Sequence, residues 1–145
     1  MTRLSLPRLA KPALVLVALS FALSACMSAD QQTAFDLLNR DRNANRLGSL
    51  GDSQMLGDKA QNWAQYLAKT NVLKHSTLTA GITGCWRAIG ENVGYGPSVS
   101  AVEKAYMNSA PHRANILNTS YDKVGTGVAW TGTRVYVVQV FLNAC

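Results

Sequence analysis

The chain is poor in the residues from which most active sites are built. Its 145 positions hold two histidines, three cysteines and eight carboxylate side chains. Neither histidine falls in an HExxH pattern, so the metalloprotease helix is excluded. The cysteines form no CxxC pair, which argues against a zinc-thiolate site. No GxSxG surrounds a serine, so the nucleophile elbow of an α/β-hydrolase is missing. No apolar run reaches the roughly 20 residues a spanning helix needs. The longest lies between Ala13 and Leu23. There is no internal repeat and no low-complexity tract.

What the N-terminus does contain is patterned. Arg3, Arg8 and Lys11 precede the apolar run, and the run ends in Leu23-Ser24-Ala25-Cys26. A positive region, a short apolar core and small residues before a cysteine read as an export signal over residues 1–25. Its lipobox makes Cys26 the site of a diacylglyceryl thioether. The expectation is a lipoprotein of a bacterial cell envelope, attached through lipid on Cys26 to a membrane outside the cytoplasm. Residues 26–32 would form a short lipidated tether and residues 33–145 one domain, a size sufficient for a real core. The three leader cations removed, 11 basic side chains face 8 acidic ones, a net charge of +3. Arg40, Arg42 and Arg46 alternate with Asp36 and Asp41 and read as a solvated helix face. No nucleic-acid partner is expected.

Outside the cytoplasm disulfides persist. With Cys26 acylated, Cys85 and Cys145 can only pair with each other. Closing a loop of about 60 residues is worth about 4 kcal/mol in the chain-entropy model.

Periodicity predicts helices from about Asp30 or Thr33 to Asn45, and over 54–70, where Ser53 would cap. Trp63 and Tyr66 of the second helix read as core residues. Residues 71–97 show no helical period and are punctuated by glycines. Ser98 can cap a helix over Val99–Asn108, and Pro111 opens a last turn to Leu117. Val124–Trp130 and Arg134–Leu142 flank Thr131-Gly132-Thr133 as a hairpin. Helices first and strands last predict an α+β domain with a mainly antiparallel sheet.

Three side chains stand out for chemistry: His75, Glu91 between Gly90 and Asn92, and His112 after Pro111. The glycines around Glu91 predict an unusual backbone path with the carboxylate turned inward. Two imidazoles and a carboxylate suit a divalent metal, and they equally suit a hydrogen-bonded brace. Ser109 reads as a helix boundary. Its closeness to His112 raises a nucleophile pair, but no orienting acid is in view.

The same residues carry a resemblance. His75, Gly90-Glu91-Asn92-Val93, Tyr106 through Leu117, Val124-Gly125-Thr126-Gly127-Val128 and Tyr136 through Phe141 follow the order seen in the CAP superfamily of cysteine-rich secretory, antigen 5 and pathogenesis-related 1 proteins. The chain is similar to its bacterial SCP-like branch over about residues 33–142. The resemblance implies an α-β-α sandwich with a small sheet between helical layers. It also implies a cleft in which His75, Glu91 and His112 match two histidines and one acid of the family's set. Ser109 stands where the second acid belongs, so the full set is absent. Zinc is the one cofactor the resemblance implies. A binding module for a lipid, cell-wall or protein ligand is expected, the alternative being a metal-dependent hydrolase using the same cleft.

Overall fold

The computed structural model of the chain describes residues 27–145. The residues read as an export signal, and Cys26 with its expected lipid, lie outside the described residues. In chain order the elements are α1 (Ala29–Ala44), β1 (Gly51–Asp52), α2 (Gln54–Thr70), β2 (Trp86–Gly96), α3 (Val99–Asn108), α4 (Ala110–Ile116), β3 (Lys123–Thr131) and β4 (Arg134–Ala144). The sheet order is β1-β3-β4-β2. Only the short β1–β3 pair is parallel; β4 runs antiparallel to both β3 and β2. One core cluster, with Leu38, Val102, Tyr106, Ile116 and Phe141, fills the space between the sheet and α1, α3 and α4. The other, with Leu56, Ala60, Leu67, Val138 and Val140, lies under α2. Successive β4 residues divide between the two clusters, as the period-2 geometry of a strand buried on both faces requires. The result is the expected α-β-α sandwich. Among the described residues no helix is long and apolar enough to cross a membrane.

Local chemistry accounts for the element boundaries. Ser28 and Gln31 form a capping box, each side chain bonded to the other's backbone N–H. This reciprocal satisfaction of orphan donors starts α1 at Ala29 and draws residues read as tether into the helix. Ser98 caps α3 as expected, accepting from the Ala101 N–H. Ser53 occupies the N-cap of α2 but makes no side-chain cap bond; its backbone N–H is spent instead on the Val124 carbonyl. Arg42 does not face water. It is buried and donates to the carbonyls of Gly48, Ile116 and Asn118, so it closes the C-terminal end of α4. Arg40 does face solvent, paired with Asp41.

The strand β2 is the element that the glycine-rich composition of residues 71–97 concealed. Its glycines adopt no positive φ, so the unusual path expected around Glu91 is absent. They are there for space. A Cβ on Gly90 would strike the Tyr121 hydroxyl, and one on Gly94 would sit 2.8 Å from the Tyr106 ring. The same logic governs β3 more severely. A Cβ on Gly125 would overlap the backbone of Leu56 and Gly57, and one on Gly127 would overlap that of Ala60. Helix α2 therefore rests on β3 backbone to backbone.

Past Asp52, the outer edge of β3 is covered by side-chain amides. Gln61 both donates to the Val128 carbonyl, 2.9 Å, and accepts from its N–H, 2.8 Å. Gln31 donates to the Thr126 carbonyl at 3.0 Å. These amides satisfy an edge that would otherwise invite another strand.

Cys85 and Cys145 form the expected disulfide, their Cα atoms 5.4 Å apart. It clamps the open end of the β2–β4 ladder next to the Trp86–Ala144 pair. The core clusters, the sheet and this bridge are all built from residues 27–145, and that span is expected to fold by itself.

Residues 27–145 produced alone should unfold cooperatively in urea. Gly127→Ala should lower their stability by about 3 kcal/mol, the upper range for overpacking. A Gly127→Ala midpoint unchanged from the parent would contradict the backbone contact.

Candidate functional site

The candidate residues gather around β2, the strand at one edge of the sheet. Alternation along β2 sends neighbouring side chains into different layers. Glu91 and Val93 point to the α2 side, while Asn92 and the Cα faces of Gly90 and Gly94 point to α3 and α4. His75 arrives from the loop after α2, and His112 from the first turn of α4. The free edge of β2 thus lets the two imidazoles approach each other around the sheet.

Glu91 is turned inward, its side chain 2% exposed against 64% for His75. Oε1 accepts from His75 Nδ1 at 2.8 Å and from the Ser76 N–H at 2.9 Å. Oε2 accepts from the Ser76 hydroxyl at 2.6 Å. A carboxylate only accepts, so the His75 proton sits on Nδ1 and Nε2 is left as the outward atom. His112 Nδ1 lies 2.8 Å from the Ser109 hydroxyl, and its Nε2 likewise has no partner among the described residues. Ser109 is the helix boundary read from the sequence, closing α3 and preceding α4, but its hydroxyl serves His112 instead of a backbone N–H. Among the described residues no acid is hydrogen-bonded to this serine–histidine pair. Burial lowers the His112 pKa, and the nearby His75 lowers it further. Both effects favour the neutral form of the His112 imidazole.

The donor set falls short of a zinc centre. Among the described residues no group of three or more His, Cys, Asp or Glu side chains is placed to hold a metal. Both oxygens of Glu91 are already engaged by His75 and Ser76, so the carboxylate positions His75 and does not complete a coordination sphere. Two imidazole Nε2 atoms remain, one ligand fewer than a catalytic zinc takes from its protein.

Beside His112 runs a groove of about 270 Å³ lined by Leu73, Val93, Tyr95, Val102, Ala105 and Tyr106, with Ser109 and His112 as its polar groups. A second groove, about 690 Å³, lies along α2 against residues 76–81. Trp63 and Tyr66 line it. Tyr66 is not the core residue expected, being 40% exposed, whereas Trp63 is half-buried and packs against the core under α2; the two rings stack at 4.7 Å, with the Lys74 ammonium 4.9 Å from the Tyr66 ring. Arg113 of α4 donates to Asn45 and is exposed.

Glu103 and Gln139 are what sequence reasoning missed. A chain of buried polar groups runs beneath His112. Gln139 donates to Glu103 Oε2 at 2.6 Å, and Asn92 donates to Gln139 at 3.0 Å. Asn92 also donates to the His112 carbonyl at 3.1 Å and accepts from Asn115 at 2.9 Å. The network ties α3, β4, β2 and α4 together below the cleft. The signal was present: Glu103 falls on the same helical face as Val99, Val102 and Tyr106, a charge at a core position. Burial pushes the Glu103 pKa up to about 7, although the bond from Gln139 pulls the other way.

The architecture and the edge cleft define an α-β-α sandwich carrying two histidines on either side of an edge strand. Residues 35–141 match the cysteine-rich secretory protein family, CAP, and the chain belongs to it. It is 28% identical over 116 residues to the uncharacterized protein YkwD of Bacillus subtilis, a match covering 74% of this chain and 45% of that protein. The chain therefore spans less than half the length of that curated relative. The fold superposes on an extracellular SCP-domain protein of Bacillus anthracis with a TM-score of 0.66 and 27% identity, covering 79% of this chain and 40% of the other. An outer surface protein of Borrelia burgdorferi shares the fold with a TM-score of 0.69 at 21% identity, covering 80% of this chain and 93% of that one.

A carboxyl group whose folded pKa lies above its unfolded value stabilises most when protonated, so the Glu103 contribution is complete below about pH 4.5 and is lost as pH rises through about 7. Glu103→Gln should then be more stable than the parent at pH 8, on the order of 2 kcal/mol, with the difference vanishing by pH 4. A difference independent of pH, read from urea unfolding at both values, would refute the buried acid.

Proposed function

We propose that this chain is a lipid-anchored CAP domain of a bacterial envelope that binds an amphiphilic ligand, a lipid or a lipid-linked wall component, in the cleft at the edge of β2. The observation that carries this reading is the groove beside His112. Its walls are mostly apolar, and its polar groups are the His112 imidazole, the Ser109 hydroxyl and the Tyr95 hydroxyl at its lip, with the second imidazole nearby. Such a lining accepts an apolar body and places a polar head at the histidines. At about 270 Å³ it has room for a short apolar segment. Among the described residues no third ligand joins the two imidazoles, and Glu91 is held by His75 and Ser76, which favours binding over metal-dependent hydrolysis.

The envelope location rests on the lipobox at Cys26 and gains support from relatives described as extracellular and outer surface proteins. A disulfide tying the C-terminus to the start of β2 suits a compartment where such bonds persist.

Two experiments bear on the two halves of this reading. The full chain with Cys26→Ser should leave the membrane fraction for the soluble one; retention at the parental level would refute the lipid anchor. Residues 27–145 should bind a fluorescent single-chain lipid with an anionic head, and Ala105→Trp, which fills the groove, should weaken that binding at least tenfold. Equal binding by the variant, or chelator-sensitive hydrolysis of the probe, would refute a binding cleft.

A further inference from the structure

Five large apolar side chains stand out as exposed among the described residues, and four of them belong to one region: Tyr66 at 40%, Val72 at 47%, Leu73 at 49% and Tyr95 at 48%. Asn71 builds this region. Its left-handed conformation, φ 52°, ends α2. The Asn71 side-chain oxygen then accepts from Arg134 at 2.9 Å and from the Tyr136 hydroxyl at 2.8 Å. The turn is thereby pinned to the end of the sheet, and Val72 and Leu73 directly after it remain outside the core. On one flank Lys74 lies over the Tyr66 ring. On the other, the Arg134 guanidinium lies 4.5 Å from the Tyr95 ring centre. Leu73 and Tyr95 also form the lip of the groove that holds His112.

The charge around this patch is of one sign. Every residue from Lys59 to Gly90, from Asn92 to Val102 and from Lys123 to Cys145 lacks a carboxylate side chain, and the one acid between the first two stretches, Glu91, is buried. Lys69, Lys74 and Arg134 are therefore unopposed by any acid of these segments. The exposed carboxylates lie in α1, at Asp52 and Asp122, and at Asp58, which lines the α2 groove about two helical turns from Tyr66. An aliphatic pair at a turn, tyrosines beside it and cations around it is the arrangement that lodges at a bilayer interface. Apolar side chains enter the acyl boundary, tyrosines sit at headgroup depth, and cations meet anionic lipid.

We infer that the turn at Asn71–Lys74, together with Tyr66, Tyr95 and Arg134, is a docking surface for an anionic lipid bilayer, and that docking opens the mouth of the His112 groove onto the lipid. The docking stands without the lipid on Cys26 and without a groove ligand; only its use to load the groove rests on the function proposed above. Apolar insertion alone would be marginal for two half-exposed aliphatic side chains, and three cations alone would give a weak, fully salt-sensitive contact. Together they predict attachment that needs both parts.

The test is co-sedimentation of residues 27–145 with vesicles of phosphatidylcholine alone and of phosphatidylcholine mixed with phosphatidylglycerol. Binding should be confined to the anionic vesicles and weaken as salt is raised. Lys69→Gln and Lys74→Gln should each weaken it roughly fivefold, the value of one cation near an anionic surface. Val72→Ser with Leu73→Ser should weaken it more than tenfold while the urea midpoint stays at the parental value. Ala105→Trp should still bind vesicles, which separates failure of the groove from failure of the docking surface. Equal binding to both vesicle types, no binding to either, or binding that survives the Val72/Leu73 substitutions would overturn the inference. Binding to an anionic polysaccharide bead that is as strong as to vesicles and indifferent to Val72 and Leu73 would overturn it too, by showing a surface for polyanions in general.

Discussion

Everything else in this domain is arranged around the direct contact between the α2 backbone and β3. Glycines at 125 and 127 remove the side chains that would hold a helix at ordinary distance from a sheet, and Ala60 meets them with almost nothing. A helix this close brings Gln61 within reach of the Val128 peptide, so the edge of β3 is satisfied by a side chain where a strand would otherwise pair. It also places the end of α2, and with it the Asn71 turn and His75, at the level of β2. The glycines are costly in backbone entropy, and the strand keeps them because the close approach is worth more.

From that contact the cleft follows. The sheet leaves β2 at its edge, and strand alternation points Glu91 toward the α2 layer and Asn92 toward α4. Glu91 holds His75 and Ser76; Asn92 holds the carbonyl of His112. One dipeptide thus fixes histidines from two different layers, and each imidazole is gripped through Nδ1. A carboxylate that orients an imidazole from behind is common beneath metal ligands. Among the described residues no third ligand accompanies the pair, and the groove beside His112 is lined mostly with apolar side chains.

Much of this was legible in the sequence because it rests on local signals. Helix periods, the Ser98 cap, the hairpin loop at Gly132 and the two cysteines are each readable without knowing what they touch. The motif order also brought out His75, Glu91 and His112. What was hidden depends on partners distant in the chain. The β2 glycines look like loop punctuation until Tyr106 and Tyr121 are seen to need their space. Arg42 looks like a surface charge until the end of α4 arrives over it. Trp63 and Tyr66 sit at core spacing, yet the loop over residues 76–81 stands off and leaves them lining a groove. Glu103 could have been noticed as a charge on an apolar helix face, but its link to Gln139 and Asn92 belongs to the fold alone.

The claim on which the functional reading turns is that Glu91 acts from behind His75, leaving Nε2 outward. Side-chain nitrogen NMR of residues 27–145 labelled at histidine tests it directly. In the neutral form of the imidazole, His75 should carry its proton on Nδ1, with Nε2 bare, and Glu91→Gln should change that tautomer balance. A His75 protonated on Nε2, or a spectrum indifferent to Glu91→Gln, would contradict the account and return Glu91 to the list of groups free to bind or catalyse.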